Sequence, residues 1–332
     1  MDAAYPLAMV TSPPLRDERM GLLFAAGAAI LYGAAYPATG VALRSFTPLG
    51  IAALACTIAL PVVIAAAALG VIPRPTRAAR NGPSLLRLLV LAALGGIGFI
   101  AAVNVAVSLS GSTVTGFIAP LYAVAAALFA IPILGERVRP AAIVGFVLAI
   151  AGTALLAGVD SHGTNLAGIA MGGTAAVMFG LYIVLARRWG RRYALDGTLV
   201  TIANLATRGP LLLVIEWLRA PGTLIPASPD PAAVVALLTI AFGASSTANL
   251  LLMASVRRVP AGRTSAALLL TPISSAIIAA VVLGERLTPI ELFGAALILA
   301  GIAGAGGMFD RLAGTRRGAA SDPEDAAARS SG

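Results

Sequence analysis

Apolar residues in this chain come in long unbroken runs, with the polar residues gathered into short strips between them. Ten such runs cover roughly residues 21–42, 48–71, 88–109, 113–134, 140–158, 166–186, 197–218, 233–255, 264–283 and 289–308. Each is close to the ~20 residues that an α-helix needs to cross about 30 Å of hydrocarbon. A transmembrane β-barrel would instead show alternating strands of about ten residues. These runs are continuous mixtures of Ala, Leu, Val, Ile and Gly, so the pattern predicts an all-α integral membrane protein with ten transmembrane helices.

The polar strips give the organisation. Residues 1–20 include Arg16, Asp17, Glu18 and Arg19 and lack the small-residue cleavage site of a secretory signal, so the first run is read as an uncleaved helix. Residues 309–332, rich in Arg, Asp, Gly, Ala and Ser, hold too few large apolar residues to fold alone and are expected to be a disordered cytoplasmic tail.

One strip is written twice. Leu134-Gly135-Glu136-Arg137-Val138-Arg139-Pro140 recurs as Leu283-Gly284-Glu285-Arg286-Leu287-Thr288-Pro289, an offset of 149 residues that also matches Gly145 to Gly294 and Gly152 to Gly301. The chain therefore reads as a duplication. Dividing it at an external linker, 159–165, leaves repeats at 21–158 and 166–308 with five runs each. Five is odd, so the second repeat must enter the membrane from the side opposite to the first. Inverted repeats of this kind underlie alternating access, with a substrate site near midplane between the halves.

The repeated turn has a plain physical account. Gly135 and Gly284 are expected to end a helix in the left-handed conformation, and Glu136-Arg137 and Glu285-Arg286 mark the water interface. Pro140 and Pro289 then start the next helix. The glutamates could also pair with Arg in neighbouring loops. Gly145 and Gly152, like Gly294 and Gly301, are seven apart and share a helix face on which another helix can approach closely.

Charge supports the same topology. Only 11% of the 332 residues are charged, against about a quarter in soluble domains, and all 23 basic residues are Arg. With both termini inside, about 19 of them fall on cytoplasmic segments, only Arg44, Arg219 and Arg286 fall outside, and Arg208 lies within a helix. That asymmetry is the positive-inside pattern of a multi-pass cell-membrane protein, so the net charge of +9 does not imply a nucleic-acid partner. The strips at Arg74, Arg77 and Arg80 and at Arg187, Arg188, Arg191 and Arg192 are expected near anionic lipid headgroups. The bilayer and a small metabolite are the partners expected, and a homodimer stays open. The single Cys56 excludes an intrachain disulfide.

Candidate chemistry is sparse. Arg208 lies mid-run between Asn204, Thr207 and Gly209-Pro210, where an Arg costs about 2.5–3.5 kcal/mol on insertion scales and so should face protein or a watery cavity. It reads either as an anchor for a substrate carboxylate or as an Arg that snorkels or bonds carbonyls freed at Pro210. Tyr32, Tyr36, Asn104, Tyr122, Tyr182, Asn249, Ser274 and Ser275 lie near predicted midplane and could line a cavity. Asn104 and Asn249 occupy corresponding helices, and each could equally make a helix–helix hydrogen bond. Kinks are expected at Pro37, Pro120 and Pro272.

No Asp or Glu lies centrally in any run, so the buried carboxylate of a proton-exchanging cation exporter is missing. His162, the one His, lies in the linker beside Asp160 and cannot form a metal site alone. The glycines at 95, 96 and 98 are followed by no Lys-Ser/Thr, so they make no phosphate loop. Rings of like charge or a repeated filter, as a channel would want, are also absent. A transporter of a neutral, zwitterionic or anionic metabolite is favoured, with no cofactor and no metal. The rival readings are an integral-membrane enzyme on a lipid-linked substrate and a multidrug efflux carrier.

These residues together resemble the drug/metabolite transporter superfamily, specifically its EamA-type members. The likeness spans Gly21 to Met308 and rests on the doubled Leu-Gly-Glu-Arg turn, on Leu31-Tyr32-Gly33-Ala34-Ala35-Tyr36-Pro37, and on Arg258-Val259-Pro260-Ala261-Gly262-Arg263 through Leu270-Thr271-Pro272 to Gly284-Glu285-Arg286. It implies two inverted five-helix repeats and export or exchange of small metabolites such as amino acids or organic acids. Pro272 stands thirteen residues before Glu285, as in the family, whereas Pro120 stands sixteen before Glu136, which displaces the first half's kink. Relatives often carry an Arg in the second helix; here Ala55, Cys56 and Thr57 follow Pro48, and the seventh run holds Arg208 instead.

Overall fold

The computed structural model describes residues 15–74, 82–135, 140–157, 165–193, 197–222, 224–256, 258, 267–285 and 288–305. Glu136, Arg137, Arg286, His162 and both chain ends fall outside the described residues. Every regular element among the described residues is helical. Segment one is Leu15–Ala42, two Pro48–Ala68, five Pro140–Ala157, six Leu166–Tyr193, seven Gly197–Arg219, nine Leu270–Val282 and ten Pro289–Ala305. Segments three, four and eight are compound: Gly82–Leu91, Ala92–Gly98 and Phe99–Ser110; Ser112–Ile118, Ala119–Leu121 and Tyr122–Leu134; Pro231–Leu238, Thr239–Thr247 and Ala248–Val256.

Seven of these helices are long and apolar enough to cross a membrane, and three further apolar helices, Ile143–Leu155, Leu270–Val282 and Pro289–Gly304, are shorter. Leu23, Val147, Val281, Leu292 and Phe293 stand exposed on the outer faces, an arrangement suited to lipid rather than water.

Helices overrun the apolar runs at several ends. Segment one starts at Leu15 rather than residue 21, segment three at Gly82 rather than 88, and segment six continues to Tyr193, past 186. Backbone hydrogen bonding does not stop where hydropathy does, so a polar Arg-rich stretch continues the helix into water. Segment nine is broken by a turn at 268–269, with Ala267 helical before it and Leu270–Val282 after it. The cause is Pro272, which has no N–H to give the Leu268 carbonyl four residues back; that carbonyl accepts instead from the Thr271 N–H at 3.0 Å. Pro120 tightens Ala119–Leu121 into a 3-10 turn that splits segment four. At Pro37, where a kink is expected, segment one runs on unbroken from Leu15 to Ala42.

The repeated turns adopt the same conformation where they are described. Gly135 has φ +69° and Gly284 φ +72°, the left-handed region that ends a helix cheaply in glycine. Segment ten then opens with a capping box. Glu291 Oε2 accepts from the Thr288 N–H at 2.7 Å and from its hydroxyl at 2.9 Å, while the Glu291 N–H donates back to Thr288 Oγ1 at 3.3 Å.

Segments five and ten pack together through the matched glycines. A methyl group on Gly152 would stand 2.4 Å from the Gly294 carbonyl oxygen, and one on Gly301 would stand 2.5 Å from the Gly145 carbonyl oxygen. The two contacts exchange under the repeat offset and pair the early residue of one helix with the late residue of the other. This is an antiparallel crossing about a local two-fold, as inverted halves require.

A second feature is doubled. The π-helical stretches Ala92–Gly98 and Thr239–Thr247 fall in corresponding helices of the two halves, with Gly98 and Thr247 related by the repeat offset and the second stretch beginning two residues earlier. A π turn leaves carbonyls whose partners are one residue late. In segment eight side chains answer two of them: the Ser246 hydroxyl donates to the Ala241 carbonyl at 2.8 Å, and the Asn249 amide donates to the Ser245 carbonyl at 3.0 Å.

Candidate functional site

Arg208 lies at the centre of segment seven, and its side chain is only 8% exposed. It can be there because the facing wall is bare. Gly96, in the π stretch of segment three, leaves the room: a methyl group on Gly96 would stand 3.3 Å from Arg208 Cδ. On the other flank Gly209 packs against Thr57 of segment two, 3.0 Å from Oγ1 to a methyl built there, and Cys56, next to Thr57, is buried.

The guanidinium Nε of Arg208 has no hydrogen-bond partner among the described residues, and neither does Oδ1 of Asn204, one turn earlier on the same face. Each buried group left so costs about 1–3 kcal/mol. A charged donor and a neutral acceptor thus lie one turn apart in the interior, neither paired among the described residues.

Tyrosines surround the pair. Tyr182 of segment six stands against Gly95, where a methyl group would come within 2.5 Å of its ring. Tyr32 donates its hydroxyl to Asn249 Oδ1 at 2.9 Å, a tie between the first and eighth segments. Phe179 stacks on Phe99 at 4.4 Å and on Tyr182 at 5.1 Å, with Tyr122 edge-on at 4.9 Å, so segments three, four and six share one aromatic cluster. Residues of both halves therefore converge on one depth.

Other residues of the expected set lie elsewhere. The Asn104 amide donates to the Pro48 carbonyl at 2.9 Å, near the end of segment three, and so ties segments three and two. Tyr36 is buried in a core cluster with Ala102, Val103 and Val107. Ser274 donates to the Leu270 carbonyl at 2.8 Å and packs on Gly33, where a methyl group would stand 2.2 Å from its Oγ. Ser275 is fully buried against Gly116 with its hydroxyl unpaired. A separate groove of about 430 Å³, lined by apolar residues including Leu128, Phe146, Ile150 and Val177, runs between segments four, five and six and does not include Arg208.

Sequence reasoning missed the glycines that make room for Arg208 and Tyr182. The signal was present as Gly95-Gly96-Ile97-Gly98, a small-residue run in one of two corresponding helices. It missed the role of Glu285 as well. That carboxylate accepts hydrogen bonds from the Ser112 hydroxyl at 2.7 Å, the Thr113 N–H at 3.0 Å and the Thr113 hydroxyl, rather than pairing with an Arg. Arg44 pairs with Asp230 at 3.9 Å.

A helical membrane protein of two antiparallel repeats, with a buried polar site between them, is the architecture of a carrier. The family model of the EamA-like transporter family matches twice, at residues 19–158 and 166–306, and the chain belongs to that family. A solved structure, titled only as the crystal structure of a protein, is similar at 22% identity with a TM-score of 0.63, covering 89% of this chain and 99% of that one, a likeness of fold. No functionally curated protein matches the sequence. The fold is thus an all-α membrane transporter fold with two EamA repeats.

Proposed function

We propose that this transporter moves a small carboxylate-bearing metabolite, zwitterionic or anionic, by alternating access about the site at Arg208. The carrying observation is the unpaired Nε of Arg208 beside the unpaired Oδ1 of Asn204, both buried at mid-helix. An amino acid complements the two: its carboxylate accepts from the guanidinium and its ammonium donates to the amide oxygen. Ligand entry then relieves the cost of two unmade hydrogen bonds, which favours binding over an empty site.

The positive-inside distribution of Arg supports a cell-membrane location with both termini cytoplasmic. The lack of a midplane carboxylate among the described helices favours exchange or facilitated export of such a metabolite over extrusion of cationic drugs. A thermal-shift screen of the purified protein against amino acids, organic acids, sugars and amphipathic cations tests the substrate class, since a ligand of the native state raises its melting temperature. Stabilisation by carboxylates alone supports the reading, and stabilisation by cations alone sinks it.

A further inference from the structure

At one end of the bundle, two loops of the first half are tied to two of the second by three carboxylates, all of which come from the second half. Glu285, in the turn between segments nine and ten, accepts from Ser112 and Thr113 at the start of segment four. Glu216, near the end of segment seven and 3% exposed, accepts from the Thr47 hydroxyl, which itself accepts from the Gly50 N–H at 3.0 Å as the cap of segment two. Asp230, which caps segment eight, receives the Arg44 guanidinium at 3.9 Å and donates its N–H to Ser45 Oγ at 2.8 Å.

The first two ties differ from the third in kind. Arg44 and Asp230 are solvated, and an exposed pair of this sort holds little. Glu216 is buried, and Glu285 takes three donors from one short stretch of backbone and side chain. Beneath Glu285 the seal continues in apolar contacts, since a methyl group on Gly40 would stand 3.1 Å from Leu283 Cδ1 and 3.9 Å from Ser112 Cβ. Segments one, four and nine therefore close on one another directly under that carboxylate.

We infer that Glu285 and Glu216 are positioning residues of transport: they latch this end of the carrier shut between the halves, and opening here requires Ser112, Thr113 and Thr47 to exchange their carboxylate for water. The inference rests on the alternating-access reading above but not on the substrate assigned to it. Each latch joins a group on one half to a group on the other, so rocking the halves apart cannot spare it. Hydroxyl and amide donors are ones that water replaces readily, which suits a contact that must break in every cycle.

The test uses full-length protein in lipid vesicles with a reporter cysteine, Gly40→Cys, under the Glu285 latch, and a bulky water-soluble maleimide. Protein with Cys56 alone gives the blank, because Cys56 is buried. Thr113→Val and Glu285→Ala are each expected to speed labelling of the reporter by about fivefold or more, the factor one lost hydrogen bond commands. The double variant should label no faster than Glu285→Ala. Equal rates in all backgrounds overturn the latch, as does simple addition of the two effects. Where a variant does not give folded protein, Gly40→Cys with Leu283→Cys keeps the question open to experiment: an oxidised pair should halt transport and a reduced one restore it, and transport unaffected by oxidation overturns the closure. A failed substrate assignment would leave the labelling result unchanged.

Discussion

Gly152 and Gly294 touch backbone to backbone, closely enough that a single methyl group on Gly152 would stand 2.4 Å from the Gly294 carbonyl oxygen. Their repeat-related counterparts, Gly301 and Gly145, make the same contact with the roles exchanged. This crossing holds the two halves at their last helices, and it sets a stability test.

Gly152→Val and Gly301→Val should each force segments five and ten apart at a backbone carbonyl that cannot give way. A loss of about 1–3 kcal/mol or more is expected from overpacking of this sort. Melting curves of detergent-purified protein check it, with Gly173→Ala as the control, since nothing lies within 4 Å of that position. Unshifted melting in both Val variants would argue against the close crossing.

The capping box of segment ten sets a second. Thr288→Ala removes the hydroxyl that bonds both the Glu291 carboxylate and its N–H. The expected loss is about 0.5–2 kcal/mol, seen as a lower melting temperature, with transport per folded molecule retained. Because Thr288 follows the Glu285 turn, a transport defect larger than the stability defect would show instead that the cap also takes part in opening.

Tyr32→Phe removes one hydrogen bond between segments one and eight. A loss near 0.5–1.5 kcal/mol is expected, since the Asn249 oxygen is then left without its donor. Asn249→Ala should cost more, because it also strips the donor that serves the π-turn carbonyl of Ser245. Thermal melts of the two variants and their double separate these contributions.

Gly96→Ala probes the wall behind Arg208. Its methyl group would stand 3.3 Å from Arg208 Cδ, near enough to push a flexible stem without blocking the fold. Ligand affinity should fall several-fold while the melting temperature of the empty protein moves little. Gly95→Ala should be worse for folding, because its methyl group meets the Tyr182 ring at 2.5 Å.

Much of this arrangement was legible in the chain itself. Local chemistry fixed the turns, since only glycine suits the left-handed conformation that Gly135 and Gly284 adopt. The depth of Arg208 followed from counting along an apolar run. The inversion of the halves followed from a constant offset and an odd number of runs, whereas the contact of Gly152 with Gly294 came only with the packing. What stayed hidden depends on partners distant in sequence or on backbone register. Hydropathy has no knowledge of the π stretches at Ala92–Gly98 and Thr239–Thr247, because residues there keep a helical pattern while their hydrogen bonds slip by one. Asn104 could not be assigned to the Pro48 carbonyl, nor Glu285 to Thr113, without the packing that brings segments together.

The central claim is that Arg208 binds the substrate's carboxylate, and counterflow in reconstituted vesicles tests it most directly. Vesicles loaded with a stabilising amino or organic acid identified by thermal shift should take up the labelled compound through the native protein. Arg208→Ala should abolish that uptake and Arg208→Lys should retain part of it, because a lysine keeps the charge and loses the fork of donors. Uptake at the native rate through folded Arg208→Ala protein would contradict the account.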